Sequence, residues 1–129
     1  MKKRDRIHIT SKNLKEFLTP QWDAFNQSHF EGTLNRCPNF VLCPNPKFLA
    51  AYSFTLTKNK KISNGKIIFS ERFFYQASSK MFKEALLHEM AHQFVIEVLK
   101  LPHQNHGPIW KMICKALGIK PQAKTPWHG

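Results

Sequence analysis

Apolar positions fall into three blocks along the chain: helical spacing to about residue 30, short β-branched and aromatic runs in the middle, and helical spacing again beyond about residue 78. In the first block "SKNLKEFL" and "TPQWDAFNQSHF" read as two helical pieces. The second has Thr19 as cap and Pro20 in the first helical position, and Gly32 ends the region. "NFVLCP", "AAYSFTLT" and "KIIFS" are bounded by Pro, Asn and Gly and read as strands. "KNKKISNG" between the last two reads as a turn, which makes them a hairpin. Ser78 and Ser79 then offer cap oxygens to "KMFKEALLHEMAHQFVIEVLKL", where Phe82, Leu86, Met90, Phe94 and Leu99 recur at helical spacing up to the stop signal at Pro102. A last helix starts at Gly107-Pro108, carries Ile109, Trp110, Ile113 and Leu117 as its apolar stripe, and is closed by Gly118. The expectation is an α+β fold: a small, mostly antiparallel sheet of about three strands packed on the long helix, with flanking helices. One domain spans 1–129, with 1–10 and 120–129 as loose arms.

The long helix contains a chemical anomaly. "ALLHEMAHQFV" sets two histidines and a glutamate into an apolar run, where buried polar groups are costly unless satisfied. At a spacing of i and i+4, His88 and His92 share one helix face and can converge on a single zinc ion. Glu89 projects about 100° away around the axis, within reach of a metal-bound water and free of any need to ligate. HExxH on a helix is therefore a zinc signature with Glu89 as candidate general base. The plain alternative is a helix with two ordinary histidines.

Catalytic zinc usually has a third protein ligand. In the HExxHxxGxxH arrangement that position falls here on Val98, and no Asp or Glu follows Glu97. His103, His106, Cys114 and His128 remain. His106, set just before the last helix, is the strongest of them; His103 on the Pro-bounded loop is the alternative. Cys114 reads as core, and His128 lies at the chain end.

"HEMAH" with "HGPIWK" downstream resembles the SprT-like metalloproteases, which pair HExxH with an HGxxF-type element; Trp110 takes the place of the phenylalanine. "WDAFNQSHFEGTLNRCPNFVL" and "GKIIFSERFF" resemble that family's opening helix and the strand before its active-site helix, so the likeness covers roughly residues 15 to 119. The resemblance implies a zinc endopeptidase with His88, His92 and His106 as ligands and Glu89 as base, related to Spartan, a DNA-dependent protease that degrades proteins crosslinked to DNA. The sequence departs from many bacterial members in lacking paired CxxC motifs, so their C-terminal zinc ribbon is not expected in it.

Composition adds charge to this picture. Forty-two per cent hydrophobic and 12% aromatic residues point to a globular protein with its own core. Three cysteines without a disulfide framework fit a reducing compartment. No apolar run has the length of a secretory signal or a membrane span, so the expected location is cytoplasmic, nucleoid-associated for a DNA binder. Twenty Lys and Arg against eight acids give a net charge of +12. The cations cluster at Lys2, Lys3 and Arg4; at Lys58, Lys60 and Lys61; and at Lys111, Lys115, Lys120 and Lys124. Such an excess favours a polyanion, and DNA is the expected partner beside a protein or peptide substrate. Lys58, Lys60 and Lys61 are the candidate contacts, and Trp127 is a possible base-stacking residue. Tyr52 or Tyr75 could assist at the oxyanion, and Glu84 and Glu97 could orient the zinc ligands. No obligate protein partner is implied. The alternative to a peptidase is a non-catalytic nucleic-acid-binding module in which zinc is structural.

Overall fold

A computed structural model describes residues 5–120. Helix α1 (Leu14–Phe30) leads into strand β1 (Asn39–Cys43). The hairpin of β2 (Ala50–Leu56) and β3 (Ile62–Ser70) follows, then a short α2 (Glu71–Gln76). The long α3 (Ser79–Gln93) continues into a π-helical turn, Phe94–Val98, and α4 (Pro108–Ala116) closes the described chain.

α1 is one helix where the sequence pointed to two pieces. Leu14, Leu18, Trp22 and Phe30 keep a single buried face across Pro20, which sits inside the helix. An interior proline costs about 3 kcal/mol, and the burial of several large side chains at about 1.5–3 kcal/mol each outweighs it. The missing apolar step on that face is Asn26, which is also buried. Its Nδ2 donates to Leu34 O at 2.9 Å and its Oδ1 accepts from Leu34 N at 3.1 Å, which pins the exit from the helix.

The strands lie in the order β1-β3-β2. β2 pairs antiparallel with β3, as the hairpin required, with Tyr52 opposite Ile67. β1 pairs parallel with the other side of β3, with Phe40 opposite Ile67. The sheet is therefore mixed, whereas the sequence suggested a mostly antiparallel one: short apolar runs state that strands exist but not which neighbour each accepts. As the central strand, β3 buries Ile67 and Phe69 completely. These residues join Phe73 and Phe74 of α2, Phe82, Leu86 and Met90 of α3, and Trp110 and Cys114 of α4 in one core. α2 was not foreseen. Its N-cap is Ser70, whose Oγ accepts from Phe73 N at 3.3 Å.

α3 begins where its sequence indicated, with Ser78 Oγ accepting from Met81 N at 3.2 Å. Of the supposed N-terminal arm, residues 5–10 are not loose. Arg6 is fully buried, its guanidinium donates to the carbonyls of Phe74 and Ala77 at the end of α2, and its carbon lies 4.9 Å from the Phe82 ring centroid. Tyr75 Oη donates to Ile9 O at 2.5 Å and fastens the same segment. Helix-end carbonyls need donors, and a cation there also complements the helix dipole. No helix among the described residues is long and apolar enough to cross a membrane.

Candidate metal and catalytic site

α3 presents His88, Glu89 and His92 to a cavity of about 740 Å³, and the loop before α4 brings His106 to the same cavity. His103, the alternative ligand, is exposed and does not line it. The His92 and His106 rings are 4.8 Å apart between centroids. Trp110 holds them from below: it stacks on His92 at 4.8 Å and 13°, and meets His106 edge-on at 4.7 Å. It also reaches His88 at 5.8 Å between centroids, and its indole Nε1 donates to His88 O at 3.4 Å. The tryptophan that replaces the expected phenylalanine is thus both core and the floor under three imidazoles.

The loop carrying His106 is shaped by close backbone approach. Gln104 Oε1 accepts from Ile109 N at 3.0 Å, capping α4 from outside the helix. A Cβ on Gly107 would lie 2.4 Å from that same oxygen and 2.8 Å from Gln104 O. Only glycine fits between the ligand candidate and the helix it precedes.

Burial sets the protonation of the site. It pushes the His92 pKa down to about 3, helped by the positive charge His106 and His88 would carry. His106 is lowered by its partial burial, then by His88 and Lys111. Both rings are therefore neutral, the form that ligates a metal. Glu89 is pushed up to about 8 by burial, against the opposing effect of the hydrogen bond it accepts from the Tyr52 backbone N–H. Tyr52 Oη donates to Glu97 Oε1 at 2.8 Å, and burial followed by that carboxylate's charge raises its pKa.

Among the described residues, no group of three or more His, Cys, Asp and Glu side chains is arranged as a metal cage. His88 accounts for part of this, because its Nε2 is 2.7 Å from Lys120 O. A carbonyl can only accept, so Nε2 carries the proton and Nδ1 keeps the lone pair. A carbonyl partner on one ring nitrogen is also the usual way a ligating histidine is oriented. Three imidazoles on one cavity wall, two of them held neutral and the third with its tautomer fixed, are a donor set whose chemistry suits zinc.

The other candidates disperse. Tyr75 serves the N-terminal segment, not the cavity. Glu84 lines neither cavity described here. Glu97 accepts from Gln93 Nε2 at 2.9 Å as well as from Tyr52, and Gln93 also joins Trp22 and the carbonyl of Arg36. Sequence gave no sign of this network, because Trp22, Arg36 and Tyr52 lie far along the chain from the Gln93–Glu97 pair they join. Lys60 and Lys61 line a second cavity of about 610 Å³ with Arg36 and Lys100; Lys58 does not. Lys111, Lys115 and Lys120 are exposed. Lys2, Lys3, Arg4, Lys124, Trp127 and His128 lie outside the described residues. Cys37, Cys43 and Cys114 are all free, and Cys114 is core as expected, its thiol pushed up to about 12 by burial.

The sequence model of the SprT-like family matches residues 19–126. No curated protein matches the chain.

Proposed function

This chain belongs to the SprT-like family, whose domains are of the metalloprotease type, and on that premise we propose that it is a zinc-dependent endopeptidase with nucleic acid as a partner of its basic surface. The observation that carries the peptidase reading is the meeting of His88, Glu89, His92 and His106 on one cavity with strand β2 along its side. His88, His92 and His106 would hold the metal. Zinc bound there supplies a Lewis acid that polarises water and a peptide carbonyl.

The protein's own groups provide the rest. Glu89 is buried and steered by the Tyr52 N–H; with the positive charge of a metal held by the histidines beside it to offset the burial that raises its pKa, its carboxylate is the group to take a proton from the attacking water and return it to the leaving amine. Trp110 keeps the imidazoles in place from below. Among the described residues β2 pairs only with β3, so its other edge offers backbone groups to an extended substrate. Phe48, Phe54 and Ile96 add apolar surface for a substrate side chain. Pairing through backbone groups supports a protease of low sequence preference, suited to unfolded or DNA-bound proteins.

Glu89→Gln separates the readings. It cannot accept a proton at neutral pH, so it is expected to retain zinc and melting temperature while losing cleavage of casein, assayed with and without single-stranded DNA and with chelator as control. Wild-type cleavage by this variant removes Glu89 as the base. Loss of zinc instead supports the other reading, a nucleic-acid-binding module with a structural metal, with which the +12 charge agrees equally well.

A further inference from the structure

The second cavity adjoins the first through a shared side-chain pair. Its wall takes Arg36 from the segment after α1, Lys60 and Lys61 from the β2–β3 turn, and Lys100 from beyond the π-helical turn, with Glu97 as its acid. Cations from three separate stretches of chain thus converge on one concavity. All four are exposed, and among the described residues none of them forms an ion pair. Lys60 and Lys100 hold left-handed backbone, at φ 58° and 61°, a region that side-chain-bearing residues occupy at a cost. The fold accepts that cost at two of the four cationic positions.

Glu97 is one carboxylate against four cations in this lining. Its oxygens accept from Tyr52 Oη, which lines the catalytic cavity, and from Gln93 Nε2, which is buried in the interior. Room for this is made on β3 by Gly65, where a Cβ would meet Tyr52 Oη at 2.7 Å and Glu97 Oε1 at 3.3 Å. Tyr52 in turn donates its backbone N–H to Glu89. A hydrogen-bonded path therefore runs from the wall of the basic cavity to the candidate general base.

We propose that the cavity of Arg36, Lys60, Lys61 and Lys100 binds phosphate groups, and that Glu97 transmits its occupancy through Tyr52 to Glu89. Four cations against a single carboxylate suit a multiply charged oxyanion, whose oxygens accept from several of them at once. An anion seated there places negative charge beside Glu97, which strengthens that carboxylate's hold on the Tyr52 hydroxyl and steadies the strand that orients Glu89. The binding site stands without the peptidase reading; the coupling rests on Glu89 being the catalytic carboxylate. The phosphates have two possible sources, free polyphosphate and a nucleic-acid strand.

Calorimetric titration with inorganic pyrophosphate and with a short oligo-dT, at low ionic strength, tests the site. Arg36→Gln/Lys100→Gln is expected to weaken binding by about tenfold or more. Lys12→Gln/Lys83→Gln removes the same charge from exposed positions outside the cavity and should change it by less than about twofold. Binding of either probe with this contrast supports the site, and the probe that binds identifies the source. Equal weakening by the two double variants, or no binding of either probe, overturns it. Amide exchange at Tyr52, followed by NMR, tests the coupling: saturating anion should slow it in the wild type and leave it unchanged in Glu97→Gln. Exchange indifferent to anion in the wild type, or slowed equally in the variant, overturns the role of Glu97. Neither measurement uses zinc or peptide cleavage, so failure here is distinct from failure of the peptidase reading.

Discussion

His92 shows how a few residues carry the site. Its helix places it one turn from His88, Trp110 stacks beneath it, and His106 comes from a different element to lie 4.8 Å away. If these three imidazoles hold zinc, His88→Ala, His92→Ala or His106→Ala should each remove most of the metal from purified protein, and His103→Ala should remove little. Metal analysis that finds the metal lost with His103 and kept without His106 would reverse the choice of third ligand. Gly107 is a sharper probe of the loop. An added Cβ would press on Gln104 O at 2.8 Å, and backbone cannot swing aside as a flexible side-chain end can. Gly107→Ala is expected to cost about 1–3 kcal/mol in thermal unfolding and to weaken zinc retention by displacing His106. His88, Glu89 and His92 were legible because four residues on a helix make one face. Tyr52 and Glu97 were legible as candidates, but their contact with one another was not, since it is created by laying β2 beside the π-helical turn that follows α3.

At the scale of elements, local signals worked wherever one element decides its own ends. Ser78 and Pro108 start α3 and α4 as their chemistry demands. They failed where packing overrides them, as at Pro20, and where a distant group finishes an element, as Arg6 does for α2. Removing that guanidinium leaves two helix-end carbonyls without their charged donor. Arg6→Ala should therefore destabilise the fold by about 2–4 kcal/mol, from two hydrogen bonds to a charged group at about 1.5–3 kcal/mol each less the cost of burying it. A denaturant titration reads this directly, and a change below about 0.5 kcal/mol would show that the segment contributes nothing. The turn Phe94–Val98 is the other departure. The sequence showed continuous helix, and the structure keeps it helical but widens it to π geometry after Gln93, where Glu97 meets Tyr52. Such turns are frequent at functional sites.

For the whole molecule, the governing number is the net charge of +12. A field of that size steers polyanions without reading bases, and lysines outnumber the arginines that pair with guanine. DNA binding should accordingly show little sequence preference and a log–log salt slope of about −0.7 to −0.9 per phosphate contacted. Changing Lys58, Lys60 and Lys61 together to glutamate should weaken it equally on all sequences, with zinc content intact. A titration at low salt that finds no affinity for any DNA would return the charge to a role in solubility.

The sequence by itself determined what depends on near neighbours: the HEMAH face, the starts of α3 and α4, the hairpin and the sign of the surface. These follow from fixed helical and strand periods, which need no knowledge of the rest of the chain. Tertiary structure decided the parallel partner of β1, the burial of Arg6, the choice of His106 over His103 as neighbour of His92, and the separation of Lys58 from Lys60 and Lys61. It also assembled Trp22, Gln93, Glu97 and Tyr52 into one hydrogen-bonded network. Each of these is a contact between residues distant in sequence, and the periodicity of one element holds no information about which other element the chain will lay beside it.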